Sequence, residues 1–151
     1  INFTKIREAA DLVGQLENVA HIHMGLVTGN IEKNAWLKLK SADFDTPFAV
    51  GGFGDNVEDR GDLVLEAIQN AERHFGVGFS KTDIIVIGDT IHDIASAKKA
   101  GVVSIGVATG MTEGYDDLVA AGGDIVVNTL TDAPIYELLH IPKSNKKQSK
   151  K

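Results

Sequence analysis

Along this chain the apolar residues change period again and again, and that alternation limits the fold more than any other feature. Phe3, Ile6, Ala9, Ala10, Val13 and Leu16 recur at helical spacing. A short strand-like run follows from His21 to Thr28, then a helical face made of Ile31, Ala35, Leu39 and Ala42. Pro47-Phe48-Ala49-Val50 reads as a strand running into a glycine-rich loop, GGFGDN. Leu63, Val64, Ala67, Ile68, Ala71 and Phe75 mark an amphipathic helix, Ile84 to Ile87 a strand, and Ile94, Ala95, Ala97 and Ala100 a short helix. Val102 to Val107 is a strand, residues 113–121 look helical, and Ile125-Val126-Val127 is a last strand. Thr131 or Asp132 suits the cap of a final helix reaching Leu139. Strands alternating with helices predict an α/β fold, a Rossmann-like parallel sheet with helices on both faces. The strands are unbroken apolar runs, as strands buried on both faces must be.

In open α/β sheets, ligands bind beyond the carboxyl ends of the strands. The first strand ends in Thr28-Gly29-Asn30, at the start of a helix whose free N–H groups and dipole suit a phosphate. Asn30 also suits a helix cap, with Glu32 in the first turn, so a plain turn remains an alternative. The second strand leads into Gly51 to Asn56, which forms either a nest of amides or an ordinary loop. Its pattern matches neither a P-loop nor G-x-G-x-x-G, which leaves a dinucleotide-binding domain without its fingerprint. Arg60 offers a charge-assisted clamp for phosphate oxygens, or a surface ion pair. The third strand ends in Gly88-Asp89-Thr90, with Asp93 one helical turn further on. Two carboxylates there are hard oxygen ligands of the kind Mg²⁺ takes. The same spacing also suits a helix N-terminus without metal, with Asp89 as cap and Asp93 in the first turn. Ala108-Thr109-Gly110 and Asn128-Thr129 complete the edge. His21-x-His23 puts two rings on one face of a strand, but near its start, away from this edge. Trp36 reads as a core or helix-face residue.

Charge and composition remove several function classes. The chain carries 15 bases against 21 acids, and the last nine residues, KSNKKQSKK, hold five of the lysines and no acid. The remainder is therefore strongly acidic, a poor surface for nucleic-acid phosphates. Residues 1–141 are expected to form the core domain and residues 142–151 a disordered, solvated basic tail. With no cysteine there is no disulfide framework and no thiolate zinc site, which fits a reducing, cytoplasmic setting. No apolar run approaches the roughly 18 residues of a membrane span.

Taken together, these residues resemble the haloacid-dehalogenase (HAD) superfamily of phosphohydrolases, near its phosphoglycolate-phosphatase-like branch. GLVTGN, with Thr28, is similar to the family's second motif, an apolar strand ending in Thr or Ser. GDNVEDRGDLV offers Arg60 as the basic residue of the third, where lysine is commoner in the wider family. IVIGDTIHD, with Asp89 and Asp93, is similar to the fourth, and GDTIHDIASAKKAG followed by VVSIGVATG is its most specific piece. The order of the motifs agrees, and the resemblance runs from about residue 5 to residue 140, nearly the whole chain.

The resemblance implies a Mg²⁺-dependent phosphatase acting on a small phosphorylated metabolite through an aspartyl-phosphate. It assigns phosphate contacts to Thr28, Gly29, Asn30 and Arg60, charge stabilisation to Arg60, and metal binding to Asp89 and Asp93. The family's first motif, a strand ending Asp-x-Asp that supplies the nucleophile and the general acid/base, has no match before Thr28. By analogy, that strand and a cap domain, on the order of 80 residues, are expected upstream of Ile1. The strand would lie centrally, between those carrying Thr28 and Asp89. Without it two buried strands expose unpaired edges, to be filled by that segment or by a second copy. Alone, the chain is expected to bind phosphate and share a weakly held metal, but not to perform the covalent step. The alternative is a non-catalytic relative that binds a phosphorylated ligand or a protein partner.

Overall fold

The computed structural model describes residues 11–17, 19–20, 22–41, 48–109, 114–130 and 133–139. Helical residues 11–16 (α1) precede β1 (Gly25–Thr28), α2 (Glu32–Ser41), β2 (Val50–Phe53), α3 (Leu63–Phe75) and β3 (Ile85–Gly88). After these come α4 (Ile91–Ala100), β4 (Val103–Val107), α5 (Tyr115–Ala120), β5 (Ile125–Val127) and α6 (Ala133–Leu139). Short 3₁₀ turns at Arg60–Asp62 and Lys81–Asp83 lead into α3 and β3. The positions 3–10, His21, Ala42, Pro47, residues 110–113, Thr131, Asp132 and the basic tail 142–151 lie outside the described residues.

Among the described residues every strand pairing is parallel, as the helix–strand alternation predicts. Those strands form two sheets, β1-β2 and β3-β4-β5. Alternate residues go to opposite faces. Ile105 and Val107 join Leu12, Leu16, Val127 and Ile135 in one apolar cluster, with Ile85 and Ile87 against it, under α1 and α6. On the other face Val64, Ala97, Ala100 and Val102 form a second cluster between α3 and α4. Val27 of β1 and Val86 of β3 both pack on that second cluster, so one apolar layer carries both sheets.

The second strand begins and ends later than its apolar run suggests. Gly51 and Gly52 are not loop residues but lie inside β2, fully covered. The reason is close approach: a methyl group on Gly52 would strike the Leu63 carbonyl of α3, and one on Gly51 would stand 2.6 Å from the Leu26 carbonyl. Only glycine lets α3 settle onto the strand backbone. The outer edge of β2 is closed by α3 side chains. Glu66 Oε2 accepts from the Phe53 amide at 2.8 Å, and Asn70 Nδ2 donates to the Gly51 carbonyl at 2.8 Å.

The inner edges are different. Among the described residues no strand lies between β1 and β3, and nothing pairs with the edge of either that faces away from its partner. Ladder alternation says which groups are concerned. Gly51 and Phe53 turn outward, so their partners Leu26 and Thr28 turn toward β2, leaving Gly25 and Val27 to point away from it. The Val103 amide donates to the Ile84 carbonyl, so Ile85 and Ile87 of β3 likewise present N–H and C=O groups to the open side. β1 and β3 are accordingly half-buried, whereas β2 is buried throughout and β4 nearly so.

Candidate functional site

The loops after β1 and β2 interlock. Gly54 packs so closely on the Gly29 peptide that any side chain there would strike its carbonyl, and the Gly54 amide donates to the Asn30 carbonyl at 2.9 Å. Thr28 Oγ1 accepts from the Asn30 amide at 3.2 Å, which leaves its own hydroxyl proton free to donate outward. The N-terminus of α2 is capped from the neighbouring loop: Asp55 Oδ1 accepts from the Glu32 amide at 3.0 Å. The anion that favours this helix end is thus the protein's own carboxylate rather than the expected Asn30 cap. Glu32 stands in the first turn as anticipated, and its Oε2 accepts from Trp36 Nε1 at 3.1 Å.

Arg60 comes to this corner from the 3₁₀ turn before α3. A methyl group on Gly29 would stand 2.5 Å from Arg60 Nη2 and 2.9 Å from its Cζ, so the guanidinium packs closely over Gly29. No carboxylate pairs with Arg60 among the described residues; the ion pairs nearby belong to Lys99, which reaches Asp59 at 3.2 Å and Asp62 at 2.7 Å. Among the described residues the surface ion pair anticipated as an alternative for Arg60 is not present. Thr28, Gly29, Asn30 and Arg60, 32 residues apart at the extremes, form one exposed corner.

At the end of β3 the two aspartates divide their work. Thr90, not Asp89, caps α4. Asp93 Oδ2 accepts from the Thr90 amide at 3.1 Å and its hydroxyl at 3.0 Å, while the Asp93 amide donates back to Thr90 Oγ1 at 3.3 Å. This reciprocal box was legible as T-I-H-D, a hydroxyl residue three before an acid. Gly88 makes room for it, since a side chain there would collide with the Asp93 carboxylate. Asp89, part-exposed, has no hydrogen-bond or ion-pair partner among the described residues. A carboxylate left over once the cap is satisfied suits a cation. The donor set is hard oxygen, as Mg²⁺ requires. It is also short: no cluster of three acids or histidines occurs among the described residues.

No hydrogen bond or ion pair joins Arg60 to Asp89 or Asp93. They are linked through α4, whose buried Ser96 donates to the Gly61 carbonyl at 3.0 Å and accepts from the Val64 amide at 3.3 Å. Neither Ser96 nor Asp55 carries a motif that would have singled it out. The His23 ring packs at a tilt on Phe75, centroids 4.2 Å apart, and meets Phe79 edge-on.

Comparison with known proteins adds a family. The profile of the haloacid dehalogenase-like hydrolases matches residues 2–107. Phosphoglycolate phosphatases from Salmonella choleraesuis and Escherichia coli K12 are each 27% identical over 141 residues, covering 93% of this chain. The chain spans 53% of the length of those relatives. Among solved structures, a Clostridium acetobutylicum protein described as a predicted phosphatase superposes with a TM-score of 0.68 at 24% identity, over 87% of this chain and 58% of its own. A hydrolase from Pseudomonas syringae superposes with a TM-score of 0.59 at 20% identity, over 91% and 58%. Likeness at that identity carries the fold. No described helix is long and apolar enough to cross a membrane.

Proposed function

The chain belongs to the haloacid dehalogenase-like hydrolases, and from that premise we propose that it is the phosphate- and metal-holding part of a Mg²⁺-dependent phosphatase for small phosphate monoesters. The observation that carries the reading is the corner where the Arg60 guanidinium, without a carboxylate partner among the described residues, packs on Gly29 beside Thr28. Arg60 clamps a phosphoryl group by charge-assisted hydrogen bonds, Thr28 donates its free hydroxyl proton, and the Gly29 amide supplies a third donor. Asn30 fixes the turn, since its amide is spent on Thr28 and its carbonyl on Gly54. Asp89 would hold Mg²⁺, with Asp93 as a further ligand or orienting group; bound there, the cation neutralises charge on the phosphoryl oxygens.

The nucleophile comes from a strand that pairs with the open edges of β1 and β3, where the groups of Val27, Ile85 and Ile87 await partners. Such a strand, ending in the nucleophilic carboxylate, emerges between Thr28 and Asp89, beside the phosphate corner and the cation. In-line attack of that carboxylate on phosphorus would form an aspartyl-phosphate as the P–O bond to the substrate breaks and its alcohol leaves. Water would then hydrolyse the acyl phosphate, releasing phosphate and restoring the carboxylate. Phosphoglycolate, named for the curated relatives, is the first substrate to try.

The test is turnover in the protein that carries the nucleophile segment. Asp89→Asn should abolish Mg²⁺-dependent phosphate release while leaving the protein folded; full activity in that variant would end the assignment. A second reading, a binding module without turnover, is favoured by the short donor set at Asp89 and Asp93. Beryllofluoride with Mg²⁺, a phosphoryl mimic, separates them: a large rise in melting temperature requires metal and nucleophile together.

A further inference from the structure

We infer that Lys99 is a positioning residue which keeps Arg60 free for an anion by occupying both acids that flank it. This rests on the reading of Arg60 as the phosphate clamp. Arg60 stands between Asp59 and Asp62 at one 3₁₀ turn, two carboxylates close enough in sequence to compete for its guanidinium. Neither pairs with it. Lys99 Nζ reaches over from α4 to Asp59 Oδ2 at 3.2 Å and Asp62 Oδ1 at 2.7 Å. Gly61 leaves it room: a methyl group there would stand 3.2 Å from Lys99 Cδ and 3.2 Å from Asp59 Oδ1, a tight fit. Asp59 is further held by the Gly61 amide at 2.8 Å, and Ser96, one turn before Lys99, fastens the turn backbone to α4.

The electrostatics run the same way. Asp59 is held below the usual carboxylate range by the Gly61 amide first and by Lys99 next. Lys99 is raised by Asp62 and then Asp59. A lysine suits this task because its ammonium is a compact charge with three donors, able to serve two carboxylates at once. With both acids engaged, the Arg60 guanidinium turns the other way, onto Gly29, and keeps its own donors for an incoming phosphate.

The experiment measures binding of inorganic phosphate to the chain by calorimetry, with each variant's melting temperature recorded. Arg60→Met should weaken phosphate about tenfold, the loss of a charge-assisted contact; if it does not, the phosphate reading itself fails. Lys99→Met should weaken phosphate by a few-fold to about tenfold through capture of Arg60 by the released acids. Removing those acids as well, in K99M/D59N/D62N, should restore the original affinity, since the two carboxylates that Lys99 released are then gone. Lys99→Arg should retain it. Loss in Arg60→Met with no loss in Lys99→Met overturns the inference. So does a triple variant that folds and stays weak, because Lys99 would then act only by bracing the turn.

Discussion

Thr90 and Asp93 satisfy each other's backbone amides, and that reciprocity leaves the Asp89 carboxylate without a partner among the described residues. The two aspartates should therefore separate in a stability experiment. Asp93→Ala breaks the capping box and should cost about 1 kcal/mol, within the usual 0.5–2 range for capping groups. Thr90→Ala should cost a similar amount, and the double variant clearly less than the sum, because both changes break the same pair. Asp89→Asn should leave the urea midpoint unchanged. An equally destabilised Asp89→Asn would show that its carboxylate is structural.

Glu66 gives a second prediction, independent of any ligand. Its partner Phe53 is a buried residue, and the hydrogen bond between them is part-buried. Glu66→Ala should cost about 1–3 kcal/mol, the penalty of an orphaned buried donor. Glu66→Gln keeps an accepting oxygen and should cost far less. Equal losses in the two, read from urea unfolding, would mean that charge rather than hydrogen bonding closes this edge.

How much of this was legible in the sequence depends on the range of the interaction. Period changes located the strands and helices because they report burial, which is local in pattern. They misplaced β2 by reading Gly51-Gly52 as a loop. A glycine pair looks like a turn until a helix is known to lie on it, and that contact joins Gly52 to Leu63 and Ala67. Strand-end logic put Thr28, Arg60, Asp89 and Asp93 at one edge. It gave no access to who caps what. Asp55 capping α2 and Lys99 holding Asp59 span 23 and 40 residues, and no short motif records them.

The acid network around Arg60 carries a pH signature. Asp59 has a lowered folded-state pKa, so its contribution to stability is present above the ordinary carboxylate value and fades as pH falls through the lowered one, below about pH 4. Lys99 is raised, so its contribution is present below the ordinary lysine value and fades as pH climbs through the raised one, above about pH 10.5. Between these limits both are ionised in the folded and unfolded chain. The difference in urea midpoint between wild type and Lys99→Met should accordingly be small, flat from about pH 5 to 9, and vanish at both extremes. A difference that changes near neutrality would place another titrating group in the network.

The open strand edges make the last prediction, and amide hydrogen exchange reads it residue by residue. In β1 the Leu26 amide turns toward β2 and the Val27 amide away from it; in β3 Val86 turns toward β4, and Ile85 and Ile87 away. Neighbouring residues with similar side chains thus differ mainly in whether a strand is hydrogen-bonded to them. In the chain alone, Val27, Ile85 and Ile87 should exchange about tenfold or more faster than Leu26 and Val86. When the segment bearing the nucleophile is present, the three fast amides should slow to match their neighbours, because a parallel strand there serves both edges at once. If they are already slow in the chain alone and concentration-independent, another part of the same chain covers them. If they slow only as concentration rises, a second copy does so instead, and the edges that the phosphatase reading assigns to the nucleophile strand are open to self-pairing.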